Sequence, residues 1–435
     1  MIMNALLILI GKLFSMISRL LNVGSGSTWP GHIALSINKN FIKDIVKKNP
    51  HLKIILIAGT NGKTTTSKLI RTILQKNKIR VIHNESGANL INGIASVLIQ
   101  NASISGKLNS DCAIFEIDEN TLSLILKEIG NPDFLVILNL FRDQLDRYGE
   151  VNTIAQKWNE SLKKISEKTT FILNADDPQV AYLYLASHLK GACVKYFGID
   201  SENQTAEKTQ HASDSTYCPN CGKKLIYNSI YFSHLGNWEC KKCGYKHPSK
   251  TFTKSPFYPL TGTYNEYNTN AAVLLSKELN IPTQIINSAL HEFKPAFGRQ
   301  EILNINEKKV QIFLSKNPTG FNESLKTISD LKAKNLLIVL NDRIPDGKDI
   351  SWIWDVDFDD FSFQFKNVVI SGKRTYDMGL RLKYAEFKNF KIEENLEEAI
   401  ALSLEKTSKS EILYILPTYS AMLETRKILT GKKIL

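Results

Sequence analysis

The sequence predicts an α/β protein built as two blocks, with a small cysteine module set into the first. Three observations carry this. Apolar segments of strand length alternate with helical stretches along most of the 435 residues, the pattern of mostly parallel sheets covered by helices on both faces. A glycine-rich turn, Gly59-Thr60-Asn61-Gly62-Lys63-Thr64-Thr65, follows one such strand and opens a helix. Two C-x2-C pairs, Cys218/Cys221 and Cys240/Cys243, interrupt the chain near its middle.

The elements follow in order. Residues 5–21 read as an amphipathic helix with Leu6, Ile10, Leu13, Ile17, Leu20 and Leu21 along one side. The segment is short of the roughly 20 apolar residues that span a bilayer, and it lacks the basic start and cleavage pattern of a signal peptide. Packing of the stripe against the body of the protein is expected; rest on a membrane surface is the alternative. Turn-forming residues 22–31 end this helix. Strands are predicted at 53–58, 112–117, 134–138, 170–173 and 194–197, with a helix over 65–76. Polar residues 200–216 read as a linker or flexible arm into the cysteine module at 217–248, a hairpin turning near Asn228-Ser229. A second, Rossmann-like α/β block starts near Arg299, with strands at 309–314, 335–340, 367–370 and 412–416 and helices at 322–333 and 420–429. The expected division is 1–50, an N-terminal segment packing on the next domain; 51–295, a central phosphate-binding domain; and 296–435, a C-terminal domain.

A hydrophobic fraction of 43% and a charged fraction of 23% suit globular cores. The net charge of +12 favours anionic partners, whether nucleotide, nucleic acid or phospholipid, without choosing among them. Nothing suggests a secreted disulfide scaffold, so a reducing cytoplasm is expected. Cys112 and Cys193, outside the cluster, are expected as buried free thiols.

The glycine-rich turn has the context of a phosphate-binding loop, with backbone N–H groups at a helix N-terminus facing the phosphates. Lys63 supplies a point charge to the β and γ oxygens, and Thr64 or Thr65 offers a hydroxyl to Mg²⁺. The usual G-x4-G-K-[ST] spacing is not met, because its first glycine would fall at Ile57; the loop is a shortened one. In the module, each cysteine knuckle aims two sulfurs at one ion. Two knuckles complete a tetrahedral thiolate site whose usual occupant is Zn²⁺, giving a zinc ribbon. A closed four-thiolate site leaves no open position, so its role is structural; reduced, metal-free thiols are the alternative. Gly222 and Gly244, each following a second cysteine, are expected at positive φ.

The shortened loop resembles that of the Mur ligase family, and later stretches agree in order. Phe115-Glu116-Ile117-Asp118 is similar to the strand that offers a Mg²⁺-binding glutamate. Asn139 to Gly149 is similar to N-x3-D-H-L-D-x-x-G, and Asn174 to Asp177 to N-x-D-D. Gly262 to Asn268 is similar to G-x-H-N-x-x-N, whose last Asn contacts adenine, and Gly298-Arg299-Gln300-Glu301 to G-R-x-E, whose arginine reaches the terminal phosphate. The resemblance implies ATP and Mg²⁺, with Gly59, Thr60, Asn61, Gly62, Lys63, Thr64, Thr65, Asn268 and Arg299 at the nucleotide and Thr64 and Glu116 at the metal. Chemistry agrees. A carboxylate becomes a usable electrophile once phosphorylated, and Lys63, Glu116 and Arg299 are the residue types that transfer needs.

The four-cysteine module, together with Asp143 to Tyr148, Lys316 to Gly320 and Leu416 to Met422, resembles the MurT family of lipid II isoglutaminyl synthase subunits. That resemblance implies a GatD-type glutaminase partner and amidation, on lipid II, of the D-glutamate α-carboxylate to D-isoglutamine. It implies a cytoplasmic enzyme with peripheral contact at the inner membrane face. An aspartate in 341–355, Asp349 first and Asp355 second, would orient the partner's catalytic histidine. Trp352 and Trp354 lie there as interface anchors or core residues. Two departures stand out. The family's histidine after Asp143 is Gln144, and its carbamylated lysine would fall near Lys157. An amino-acid-adding ligase, such as a polyglutamate or cyanophycin-like synthase, is the alternative enzyme. A nucleic-acid-binding protein fits the ribbon and the charge but leaves the ordered motifs unexplained, so no nucleic acid partner is expected.

Overall fold

A computed structural model describes residues 2–20, 28–84, 88–143, 151–187, 191–200, 210–211 and 213–431. Three helices open the chain: α1 (Ile2–Leu20), α2 (Trp29–Ile37) and α3 (Phe41–Lys48). A six-stranded, all-parallel sheet follows, with β1 (Lys53–Ala58), β2 (Val81–His83), β3 (Cys112–Ile117), β4 (Phe134–Ile137), β5 (Thr170–Asn174) and β6 (Val194–Phe197) in spatial order β2-β3-β1-β4-β5-β6. Its helices are α4 (Lys63–Lys76), α5 (Ile91–Asn101), α6 (Leu122–Ile129), α7 (Val151–Leu162) and α8 (Pro178–Ser187). An antiparallel hairpin, β7 (Ile226–Phe232) and β8 (Leu235–Glu239), precedes α9 (Thr263–Glu278) and α10 (Thr283–His291).

The second sheet has spatial order β13-β12-β11-β14-β10-β9 and comprises β9 (Arg299–Ile305), β10 (Lys308–Phe313), β11 (Asn335–Val339), β12 (Asn367–Ser371), β13 (Phe390–Ile392) and β14 (Ile412–Pro417). Only β9 runs antiparallel. Its helices are α11 (Pro318–Asp330), α12 (Thr375–Tyr384), α13 (Leu396–Lys406) and α14 (Tyr419–Thr430).

Strand period explains the layering. Along β1, Ile54, Leu56 and Ala58 enter one core with Ile94, Leu98 and Trp158, while Ile55 and Ile57 enter the other with Leu69, Ile73 and Ala271. A strand buried on both faces reads as one apolar run rather than an alternation. The order places β1 between β3 and β4, so the loops leaving these three strands converge at one sheet edge, where open α/β sheets bind ligands.

Four expectations need correction. The leucine stripe of α1 faces outward: Leu6, Ile10, Leu13 and Ile17 are exposed, and the opposite side, with Ile8, Gly11 and Ser15, packs inward. Small residues decide this. A Cβ on Gly11 would stand 2.8 Å from Ile99 Cγ2, so only glycine lets the helix approach α2 and α5 this closely. The hairpin turns at Ser233-His234, not at Asn228-Ser229, which lie inside β7; Ser233 takes the positive φ of 48° that the tight turn requires. Cys193 is exposed, in the loop before edge strand β6, while Cys112 is buried. Of the expected linker, the residues described from 213 to 216 are anchored: Asp214 pairs with Arg142 at 2.6 Å, and Ser215 is buried.

Trp158 is fully buried on α7, and its indole N–H donates to the Glu119 carbonyl at 2.8 Å, tying the helix to the loop after β3. Trp158→Ala is expected to cost about 3–5 kcal/mol, read as a lowered urea midpoint at unchanged slope.

Candidate active site

The loop between β1 and α4 owes its shape to two glycines. Gly59 and Gly62 have φ of 139° and 89°, and a Cβ on Gly62 would stand 2.0 Å from Asn268 Oδ1. Asn268, buried on α9, is thereby set against the phosphate loop, within 3.4 Å of the Thr66 hydroxyl and 3.1 Å of Asn265. Asn139, just beyond β4, accepts from the Asn61 N–H at 2.8 Å and donates to its carbonyl at 3.0 Å. The Thr60 hydroxyl exchanges hydrogen bonds with the Phe141 backbone. The loop is held before any ligand contact is made.

Glu116, near the end of β3, accepts from the Thr64 hydroxyl at 2.8 Å and the Ser67 hydroxyl at 2.7 Å, with the His83 imidazole 3.5 Å away. Burial alone would raise its carboxyl, but these neighbours and the Arg299 charge hold it below its ordinary value. Arg299, at the start of β9, is half-buried at the same place; desolvation depresses its guanidinium while Glu116 supports it. Lys63 donates to the Gly59 carbonyl and lies 3.3 Å from Glu119 Oε2.

Lys63, Thr64, Glu116 and Arg299 line one cavity of about 330 Å³ between the two sheets, within the range of small-molecule sites. The cavity holds Gly62 to Thr65, Glu116, Asn268 and Arg299 together with Lys316 and Glu323 from the second sheet's side. The sheets are clasped at this point. The Asn317 amide donates to Asn61 Oδ1 at 3.0 Å, and Lys316 pairs with buried Asp143. The Asp143 and Glu119 carboxylates keep the Lys316 ammonium charged against the penalty of burial.

A smaller cleft of about 50 Å³ adjoins the cavity and shares Lys316 with it; Asp143, Asp349, Trp352 and Asp355 line its walls. Asp349 and Asp355 differ. Asp355 is held by Arg142 at 2.9 Å, whereas Asp349 is exposed and caps the Ser351 N–H at 2.8 Å. Trp352 is half-buried near Phe321, and Trp354 is half-exposed against Tyr384. Lys157 is exposed on α7 and is not among the residues lining the cavity. Gln144 lies outside the described residues.

The four cysteine sulfurs lie within 4.8 Å of one another, with Cys218–Cys243 at 3.6 Å and Cys221–Cys240 at 3.5 Å. Sulfurs about 2.3 Å from a tetrahedral Zn²⁺ would stand roughly 3.8 Å apart, so the set fits that ion. Gly222 and Gly244 take φ of 72° and 73°. Tyr245 and His247 fix the module to the N-terminal end of α8 through the Pro178 carbonyl and Asp176. At the far end of its hairpin, Phe232 and Leu235 line the cavity.

Sequence reasoning missed Glu119, Lys316 as a cavity residue, His83 and Glu323. Glu119 stands three residues after Glu116, but nothing in that spacing ties it to Lys63. Lys316 was visible only within a short motif.

Comparison with known proteins then separates the fold from the family. Residues 57–276 match the Mur ligase middle domain, and residues 314–422 match the MurT ligase C-terminal family. Lipid II isoglutaminyl synthase (glutamine-hydrolyzing) subunit MurT of Staphylococcus aureus (strain COL) is 34% identical over 379 residues, with 83% of each chain covered. The subunit of the same name from Streptococcus pneumoniae (strain ATCC BAA-255 / R6) is 33% identical over 434 residues, 95% of this chain and 94% of that one. The chain belongs to the MurT family. A pseudomurein peptide ligase type C from Methanothermus fervidus superposes with a TM-score of 0.67 at 24% identity, covering 90% of this chain and 81% of that one, which shows the shared fold. The MurT family's C-terminal match contains Asp349, Asp355 and the Lys316–Gly320 motif.

Glu323 supplies a pH prediction. Burial raises its carboxyl from 4.5 to about 7. Between those values the folded chain binds the proton and the unfolded chain does not, so this group's contribution to stability is lost as pH rises through that window. Glu323→Gln is expected to flatten that part of the stability–pH curve and to stabilise the protein above pH 7, read by denaturant unfolding across pH.

Proposed function

We propose that this chain is the ATP-dependent amidating subunit of a lipid II isoglutaminyl synthase. The activity converts the α-carboxylate of the stem-peptide D-glutamate to the amide, using ammonia from a GatD-type glutaminase partner. The observation that carries the reading is the single cavity in which Arg299, from the second sheet, faces Glu116 and the phosphate loop of the first. Family membership supports the substrate and the partner.

In this reading Gly59 to Thr65 cradle the ATP phosphates through backbone N–H groups, Asn268 contacts the adenine, and Lys63 exchanges Glu119 for phosphate oxygens. Thr64 and Glu116 hold Mg²⁺, which screens the phosphate charge during transfer. Arg299 stabilises the transferring phosphoryl group. A carboxylate oxygen attacks the γ-phosphorus and ADP leaves. Ammonia then attacks the acyl carbon, phosphate leaves with the original carboxylate oxygen, and the amide nitrogen sheds a proton. Asp349 serves the partner's histidine in preference to Asp355, because Arg142 already engages Asp355. Exposed Trp354, packed against Tyr384, and exposed Leu380 and Tyr384 on α12 supply apolar contact area. The cysteines hold Zn²⁺ as a structural ion. Work on a lipid-linked substrate places the chain at the cytoplasmic membrane surface; among the described residues, no helix is long and apolar enough to cross a membrane.

The test combines purified chain, ATP, Mg²⁺ and lipid II with either ammonium or glutaminase plus glutamine. A mass loss of about 1 Da, as OH becomes NH₂, is expected, and Lys63→Ala is expected to abolish it by removing the phosphate-binding charge. Asp349→Asn is expected to spare the ammonium reaction and to cut the glutamine reaction at least about tenfold; an undiminished glutamine reaction removes Asp349 from the role. Consumption of a free amino acid without glutaminase would instead favour the amino-acid-adding alternative. For the metal, elemental analysis is expected to find one zinc per chain, and chelation to quench or shift the emission of buried Trp238, which packs with Cys218 and Cys240.

A further inference from the structure

Among the described residues, nothing covers the outward face of α1. Leu6, Leu9, Leu13, Phe14, Met16 and Ile17 on this face are each between 43 and 54% exposed, and Ile2 is 88% exposed. At 100° per residue these positions occupy one continuous arc, opposite the Ile8, Gly11 and Ser15 side that packs against the protein. The exposed arc runs the length of a helix of 19 residues, about 28 Å. Contiguous apolar surface on this scale marks an interaction site rather than scatter. Lys12 lies at the margin of the arc, half-buried, where its stem can lie along apolar surface and its ammonium reach water. Trp29, 61% exposed at the start of α2, adds an indole next in the chain order.

Charge selects the occupant. Residues 1–50 carry six basic side chains, Lys12, Arg19, Lys39, Lys43, Lys47 and Lys48, against the single acid Asp44. Asp44 is engaged by the amides of Asn4 and Asn38, both at 3.0 Å. Lys39, Lys43, Lys47 and Lys48 are exposed on and before α3, which is tied to α1 by the Asn4–Asp44 hydrogen bond. An exposed apolar helical face in a segment with several exposed lysines complements an anionic lipid surface, with the apolar side chains at the acyl boundary and the lysines over the headgroups. A second copy would bring the same positive charge against itself.

We infer that α1 is an interfacial membrane anchor, lying flat on an anionic bilayer while its other side stays packed on the protein. This goes beyond the proposed reaction and does not rest on it, although a lipid-linked substrate would be presented at the same surface. The experiment is co-sedimentation of the full chain with vesicles of phosphatidylglycerol and phosphatidylethanolamine, and separately of phosphatidylcholine alone, without nucleotide or lipid II. Binding to the anionic vesicles is expected, with a large reduction in raised salt. Leu9→Glu with Leu13→Glu, both at exposed positions, is expected to weaken it at least about tenfold, with circular dichroism and the thermal unfolding midpoint unchanged. Lys43→Glu with Lys47→Glu is expected to weaken anionic-vesicle binding while leaving the apolar face intact. Absent binding, or binding that neither pair alters, overturns the inference. A wild-type dimer that Leu9→Glu with Leu13→Glu converts to monomer, with no vesicle binding, assigns the face to a second copy instead. Vesicle binding with no amidation would overturn the proposed function and leave the anchor standing.

Discussion

The site depends on a clasp between two sheets that each fold around cores of their own. Lys316 reaches from the second sheet's side to Asp143 beyond β4, and Asn317 reaches to Asn61 in the phosphate loop. These contacts bring half-buried Arg299 opposite buried Glu116. Neither charge is comfortable alone in that position. A buried guanidinium or carboxylate without an opposing charge costs several kcal/mol, by order of magnitude. The two bodies therefore meet where their charges are complementary, and both contribute charged side chains to the cavity they enclose.

Rigidity reaches the cavity from an unexpected direction. The cysteine module is too small to build a core of its own, and its ordering falls to four thiols gathered around one point and to Trp238 and Tyr245 beside them. Because the hairpin's turn supplies Phe232 and Leu235 to the cavity wall, the metal-binding end and the nucleotide-facing end are two ends of one β-ribbon. A structural ion can in this way shape a site without touching its chemistry.

Much of this was legible in the residues. Strands β1 and β3 coincide with the expected 53–58 and 112–117, because doubly buried parallel strands are continuous apolar runs bounded by turn residues. Gly62 was legible as a phosphate-loop glycine, and Cys218 to Cys243 as one cluster, because both motifs are local. The outward stripe of α1 was not. Amphipathic periodicity states that one side is apolar; it does not state which side is covered, and here Gly11 and Ser15 permit a closer approach than leucine would. Glu119 and Lys316 escaped for the complementary reason. Their partners, Lys63 and Asp143, are 56 and 173 residues away in sequence, and such pairings belong to the packing of the sheets. The hairpin turn fell at Ser233 rather than Asn228, since a hydroxyl residue took the left-handed conformation more often given to glycine or asparagine.

The central claim is that a phosphoryl group passes from nucleotide to a carboxylate oxygen before nitrogen arrives. It is tested most directly with a lipid II substrate whose D-glutamate α-carboxylate is labelled with heavy oxygen. Turnover with ammonium should release inorganic phosphate carrying one labelled oxygen per amide formed, detected by mass spectrometry. Amide formation accompanied by unlabelled phosphate would contradict the account.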